Sequence, residues 1–151
     1  MSQENVEIVR RFFEAAGRSI EGWDRSRSFA EAVRTGDVPP ATADALRYLS
    51  PQMEWRPIFS SETYRGLVEI ARGWDDLLEA SADYSVKLLD ATSLDQDRVF
   101  ITFGPAFEGR SSGIHVQASV YGVVSLRDRL IVAIDEFTDR REALEAAGLS
   151  R

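Results

Sequence analysis

Residues 123–150, VVSLRDRLIVAIDEFTDRREALEAAGLS, decide the fold of this chain. Two runs rich in Val, Ile and Leu flank the polar triplet Arg127-Asp128-Arg129, and this reads as a β-hairpin with a tight turn. Such turns favour positive φ, so Arg129 predicts either another turn type or local strain. The second run passes straight into TDRREALEAAG. There Asp139 and Glu142 have capping-box spacing, and Gly148 is a natural helix stop. A hairpin feeding a short capped helix therefore closes the chain.

Working back from that hairpin, residues 130–138 are its last strand, and further strands are expected near 85–91, 98–107 and 114–126. Residues 104–113 hold three glycines and a proline, which predicts a bend or hairpin before the third long strand. Leu67, Ile70, Ala71, Trp74, Leu77 and Leu78 form the clearest helical stripe, and Met53–Pro57 alternates as a strand. Residues 41–49 read as a short helix stopped by Pro51. Residues 19–35 read as a helix with Ile20, Trp23, Ala30 and Val33 on its buried side, broken by Pro39-Pro40. At the start, Val6, Val9, Phe12, Phe13 and Ala16 recur at helical spacing, with Ser2 as N-cap, Glu4 in the first turn and an end near Gly17. Helices first and mainly antiparallel strands afterwards make an α+β chain.

The 151 residues suit one domain with a sizeable core, at 44% hydrophobic. No run reaches the roughly 18 apolar residues of a membrane helix, and the first residues lack a secretory pattern, so a cytoplasmic protein is expected. Zero cysteines exclude disulfides and thiolate chemistry. Eighteen basic against twenty-five acidic residues give a net charge of −7, which works against nucleic-acid and anionic-membrane binding. The nearest approach to a basic patch is DRSR at residues 24–27. One histidine and no acidic cluster with ligand spacing predict no metal, and nothing calls for a cofactor.

The opening MSQENVEIVRRFFEAA (residues 1–16) and the closing hairpin with its capped helix together resemble the SnoaL-like branch of the nuclear transport factor 2 superfamily. The resemblance implies a cone-shaped, curved, mixed or antiparallel sheet wrapped by N-terminal helices around one pocket. It implies a single domain over residues 1–151, with a helical insertion at 18–45 that is either a surface elaboration or a lid. Related chains commonly carry glycine where Arg129 stands. On the strand before the hairpin, His115, Gln117, Ser119, Tyr121 and Val123 share one face, and Val116, Ala118, Val120 and Gly122 the other. The resemblance turns the second set towards the pocket and the first towards a homodimer partner.

Glu136 is the leading candidate for chemistry. A lone carboxyl on an apolar pocket face has its charged form penalised by burial, which suits it to acid-base work near neutral pH. The alternative places Asp135 inward and Glu136 outward or in an ion pair. Trp55 and Arg56 are adjacent on a strand, so one of them faces the pocket; Trp55, with Met53, gives the simpler wall. Phe12, Trp74, Phe103, Ala118, Val120, Ile134 and Thr138 complete the expected lining. His115 sits on the interface side, and Tyr64 either donates at the mouth or anchors a loop.

The resemblance also removes options. The tyrosine, acid and base of ketosteroid isomerases correspond to Phe12, roughly Gly122 and roughly Arg56. Two of the three groups used by limonene epoxide hydrolases fall on Phe103 and Pro105, and the third on Glu136. SnoaL-type cyclases rely mainly on one carboxylate, which Glu136 alone would supply. Three functions follow: a cofactor-independent cyclase, isomerase or dehydratase acting on a small, largely apolar carbonyl or polyketide-like molecule; a non-catalytic binder or carrier of such a hydrophobic molecule; or a dimerising interaction module. A cavity filled by Phe12, Trp55 and Phe103 would favour the last.

Overall fold

The computed structural model describes residues 2–149; the Ser2 side chain lies outside the described residues, and with it the reading of Ser2 as a cap. Helix α1 spans Ser2–Glu21. Its buried face carries Val6, Val9, Phe12, Phe13 and Ala16, while Glu7 pairs with Arg10 and Arg11 on the wet side. The helix does not end at Gly17. Its next turn is buried as well, and the Ser19 hydroxyl meets Thr42 Oγ1 at 2.6 Å. That burial outweighs the roughly 1 kcal/mol that glycine costs inside a helix.

The single helix expected over 19–35 is split. Asp24 Oδ1 accepts from both the Ser26 amide and the Ser26 hydroxyl, a local turn that competes with helical bonding. The chain re-enters a helix only at α2, Phe29–Thr35, capped by Ser28. Helix α3, Pro40–Leu46, starts on a proline, where the missing N–H costs nothing. It stops earlier than predicted because Leu49 already belongs to strand β1, Leu49–Arg56. The register slips between Leu49 and Glu54, around Pro51, as expected for a residue without a ladder donor.

A two-residue strand β2, Tyr64–Arg65, which the sequence did not suggest, precedes α4, Leu67–Glu79. Strands β3 (Ser81–Ser93), β4 (Arg98–Gly109), β5 (His115–Gln117), β6 (Val120–Arg127) and β7 (Leu130–Phe137) follow, then α5, Arg140–Ala146. The strand order is β2-β1-β7-β6-β4-β3, with β5 continuing beside β4. Among the described residues β1 and β7 pair in parallel and the other strand pairs are antiparallel. Register shifts in three strand pairs mark bulges, which bend a sheet.

Residues 104–109 are strand rather than loop, paired with β3. The proline acts differently from expectation: Pro105 accepts from Ala118 N–H at 3.2 Å but has no N–H to return, so β5 and β6 are separate pieces there. At the last hairpin Asp128 and Arg129 both take positive φ, 53° and 66°. This is the primed turn geometry that matches strand twist. Arg129 tolerates it while reaching Glu4 at 3.1 Å. At the C-terminal helix, Asp139 accepts from the Arg141 amide, and Gly148 (φ 85°) lets Leu149 N–H return to Leu144 O.

Helices α1 and α4 cover one sheet face and form the main core with it. Helix α5 covers part of the other through Ala143, Leu144 and Ala147 against Phe100 and Val123. Tyr121 packs against this second cluster. On the face expected to meet a partner, Val123 is buried under the chain's own helix, Tyr121 is half-buried beside it, and His115, Gln117 and Ser119 are exposed. Among the described residues no helix is long and apolar enough to cross a membrane.

Candidate functional site

Between the helices and the sheet lies a small cavity. Helix α1 supplies Phe12, Phe13 and Ile20; β1 supplies Met53 and Trp55; α4 supplies Ile70, Trp74 and Leu77. Tyr84 and Val86 of β3, Phe103 of β4, and Ile134 and Glu136 of β7 complete the wall. Alternation explains the choice on each strand: Ile134 and Glu136 face inward while Asp135 faces out. The volume is only about 60 Å³, against roughly 300–1,000 Å³ for most small-molecule sites. A few waters would fill it.

The adjacent pair on β1 divides cleanly. Trp55 turns inward, and its Nε1 donates to Glu136 Oε2 at 2.7 Å. Arg56 turns outward and pairs with Asp135 Oδ1 at 2.7 Å and Glu54 Oε1 at 2.6 Å. The other Glu136 oxygen accepts from the Ile58 amide at 3.2 Å, which ties the segment after β1 to the carboxylate. The indole is pressed from below by Gly73. A Cβ there would stand 2.6 Å from the ring, so only glycine lets α4 approach this closely.

Glu136 is half-buried as a residue, yet its carboxyl faces apolar and aromatic walls. Desolvation pushes its pKa up to about 7 from an ordinary 4.5, against the lowering effect of the Trp55 and Ile58 donors. Burial outweighs two hydrogen bonds, and among the described residues no cation contributes to favour the charge. Tyr84 shares the cavity. Burial, then the nearby Glu136 charge, raises its phenol well above the usual range, so it remains an O–H donor at any physiological pH. Sequence reasoning missed Tyr84, although alternation of Tyr84, Val86 and Leu88 along β3 was the signal available.

The structure brings Phe12, Met53, Trp55, Trp74, Phe103, Ile134 and Glu136 around one cavity. Three expected lining residues are corrected. Val120 is buried in the core beside Phe103 and does not reach the cavity wall. Ala118 is exposed, in the gap between β5 and β6 opposite Pro105, beyond the cover of the helices. Thr138 is exposed because β7 ends at Phe137 and the chain turns into α5. Tyr64 is an anchor: its ring is buried and its hydroxyl donates to Asp76 Oδ2 at 3.0 Å. His115 is exposed, with its Nε2 at 3.2 Å from Glu108 Oε1.

Residues 18–45 are built into the core. Phe29 is fully buried, stacked on Trp23 at 3.7 Å and edge-on to Trp74 at 5.2 Å. Asp75 of α4 accepts the Phe29 and Ala30 amides at 2.7 and 3.0 Å, fixing the start of α2.

An open, mixed seven-stranded sheet with helices packed on one face is the nuclear transport factor 2-like fold. Solved structures of that fold superpose on most of the chain. A protein from Jannaschia sp. CCS1 assigned to the SnoaL-like polyketide cyclases matches at 19% identity and TM-score 0.62, over 97% of this chain and 90% of its own. A nuclear transport factor 2-like protein from Burkholderia xenovorans LB400 matches at 18% and 0.60, over 97% of each chain. A protein of ketosteroid isomerase-like fold from Catenulispora acidiphila, bound to trimethylamine, matches at 14% and 0.56, over 83% and 93%. No family model and no curated protein matches the sequence.

Proposed function

We propose that this protein takes a small, largely apolar carbonyl compound into the cavity and moves a proton beside the carbonyl without a cofactor. The observation that carries this reading is a single desolvated carboxyl, poised near neutral pH, in a cavity whose other walls are apolar or aromatic. As carboxylate, Glu136 takes the proton from the carbon next to the carbonyl. The electron pair moves onto the carbonyl oxygen, where the Tyr84 hydroxyl donates a hydrogen bond. Glu136 then returns the proton to the same or a neighbouring carbon, giving exchange, isomerisation or the first step of a cyclisation. Trp55 is a positioning residue, holding one carboxylate oxygen while the other remains near the segment that contains Ile58. Admission of a ligand larger than the present volume requires that segment to move off the carboxylate.

The test needs no knowledge of the natural substrate. Small ketones in D₂O are followed by NMR for deuterium uptake beside the carbonyl. The protein is expected to accelerate uptake, with a rate that rises as pH increases through about 7, where Glu136 becomes the base. Glu136→Gln is expected to abolish the effect while leaving the fold intact. Unchanged exchange in that variant would remove Glu136 from the assignment.

The small cavity volume supports a second reading: a dimerising interaction module whose core is filled by its own aromatic rings. In that reading the exposed strip His115, Gln117 and Ser119 meets a second copy. Sedimentation of the full chain, compared with Gln117→Arg, distinguishes a dimer held by this strip from a monomer.

A further inference from the structure

The wall of the Glu136 cavity carries an ionisable carboxyl and, among the described residues, no group of opposite charge. Tyr84 is the other titratable group on that wall, and burial keeps its phenol protonated. Helices α1 and α4 contribute apolar and aromatic side chains, as do β4 at Phe103 and β7 at Ile134. Of the charged groups on adjoining elements, Asp76 meets the Tyr64 hydroxyl and Arg72, Glu62 meets Arg72, and Asp135 meets Arg56; none of them lines the cavity. The rings of Phe12, Phe13, Trp55, Trp74, Tyr84 and Phe103 border the space. A ring face attracts a cation, so this wall, once Glu136 is ionised, favours positive charge over neutral or negative.

The hydrogen bonds that Glu136 already makes leave it able to take a ligand. An ionised carboxylate offers about four acceptor positions. Trp55 Nε1 fills one on Oε2 at 2.7 Å, and the Ile58 amide fills one on Oε1 at 3.2 Å. Both donors are neutral, so the charge itself stays unmatched. The Tyr84 hydroxyl makes no hydrogen bond among the described residues, and its oxygen is a further acceptor on the same wall. A bare metal ion is poorly served here, because hard cations want roughly six or more oxygen ligands. An alkylammonium ion fits better: it brings a positive charge, N–H donors for the two kinds of oxygen, and methyl surface for the rings. The volume of about 60 Å³ holds roughly two water-sized groups, the bulk of methylammonium or dimethylammonium.

We propose that the Glu136 cavity binds a small alkylammonium ion with one or two methyl groups, held by the Glu136 carboxylate and the Tyr84 oxygen with its methyls against the aromatic walls. This rests on the same placement of Glu136 as the catalytic reading and adds a regulator to it: the amine occupies the carboxylate that acts as base, and so competes with the carbonyl compound. The ion uses space that exists with the Ile58 amide still on the carboxylate, whereas a larger ligand requires that amide to leave. Alkylamines, like the lysine side chain, are protonated at neutral pH. Only the ionised carboxyl attracts them. With a carboxyl that titrates at about 7, affinity is therefore about tenfold higher at pH 8 than at pH 6.

The full chain is titrated at constant ionic strength with methylammonium chloride, with methanol as the neutral control and sodium chloride as the control without a methyl group. NMR follows the Trp55 indole N–H, the Ile58 amide and the Glu136 carboxyl. Saturable shifts of these three signals are expected with methylammonium and with neither control, together with a Glu136 pKa that falls as the amine is added. Tetramethylammonium, larger and without an N–H, is expected not to bind. Glu136→Gln is expected to weaken binding roughly tenfold or more, as the loss of a hydrogen bond to a charged group does. Tyr84→Phe keeps the carboxyl and is expected to weaken binding roughly threefold, the worth of one ordinary hydrogen bond. Equal response to methanol, equal affinity at pH 6 and pH 8, or full binding by either variant would overturn the proposal. The ketone exchange assay separates the two readings of the cavity. Saturable methylammonium binding by a protein that exchanges no ketone proton upholds the amine site and overturns the catalytic reading alone. Ketone exchange without methylammonium binding overturns the amine site alone.

Discussion

At Glu136 the folded and unfolded chains differ in proton affinity, and the difference has a sign. The carboxyl titrates near 7 in the folded protein and near 4.5 when unfolded. Between those values the folded state holds a proton that the unfolded state has lost. Stability therefore falls as pH rises from about 4.5 to about 7 and is flat above, by about 3 kcal/mol. Glu136→Gln removes the ionisation, so it should stabilise the protein at pH 8 and change little at pH 5. Urea midpoints at both pH values check this, and equal shifts at the two would contradict it. Trp55 acts on the same group from the other side. Its Nε1–H favours the carboxylate, so Trp55→Phe should raise the Glu136 pKa above about 7 in a carboxyl NMR titration, with proton-exchange rates moving to higher pH in step.

At the scale of elements, the contact of α4 with β1 decides how the carboxyl is held. Gly73→Ala would improve intrinsic helix propensity by about 1 kcal/mol. The added Cβ would nevertheless lie 2.6 Å from the Trp55 ring and 3.4 Å from Tyr64. In a close-packed interior this clash costs typically 1–3 kcal/mol and displaces the indole. The expected result is net destabilisation in urea together with a raised Glu136 pKa, because the Trp55 hydrogen bond lengthens. A more stable protein with an unmoved pKa would mean that the ring has room to shift. The segment after β1 is linked to the same geometry: its Ile58 amide rests on Glu136, and Phe59 packs edge-on to Trp55 at 5.6 Å. Access to the cavity and the protonation of its carboxyl are thus two properties of one small cluster.

For the whole molecule, the question is whether residues 18–45 fold with the rest. Trp23, Phe29 and Trp74 form one aromatic cluster that joins the segment to α4, and Thr42 and Ala45 are fully buried against α1. Phe29→Ala should therefore cost about 3–5 kcal/mol and leave a single cooperative transition, since no separable unit remains. Near-ultraviolet circular dichroism and urea unfolding followed by two probes check this. A loss below 1 kcal/mol, or two transitions, would mark the segment as an attachment. The chain's charge distribution belongs to this scale too: most arginines are matched locally by carboxylates, which keeps a protein of net charge −7 free of large basic surfaces.

The sequence by itself determined the α+β class, the opening helix, the long amphipathic α4 and the hairpin with its capped helix. These depend on periodicity, caps and turns, all local properties. It also placed Glu136 opposite Asp135, because alternation along a strand is fixed by the backbone. It could not end α1, since Gly17 signals a stop that the burial of Ser19 and Ile20 overrides. Nor could it assign Ala118, Val120 and Thr138, whose parity suits the pocket but whose positions fall beyond the helices, behind the wall or past the strand end. Tertiary structure alone decided that Trp55 rather than Arg56 meets Glu136 and that α5 takes part of the outer sheet face. It also brought Tyr84 into the cavity. Each is an encounter between segments distant in the chain, settled by which contacts pack best and not by any preference that the residues carry alone.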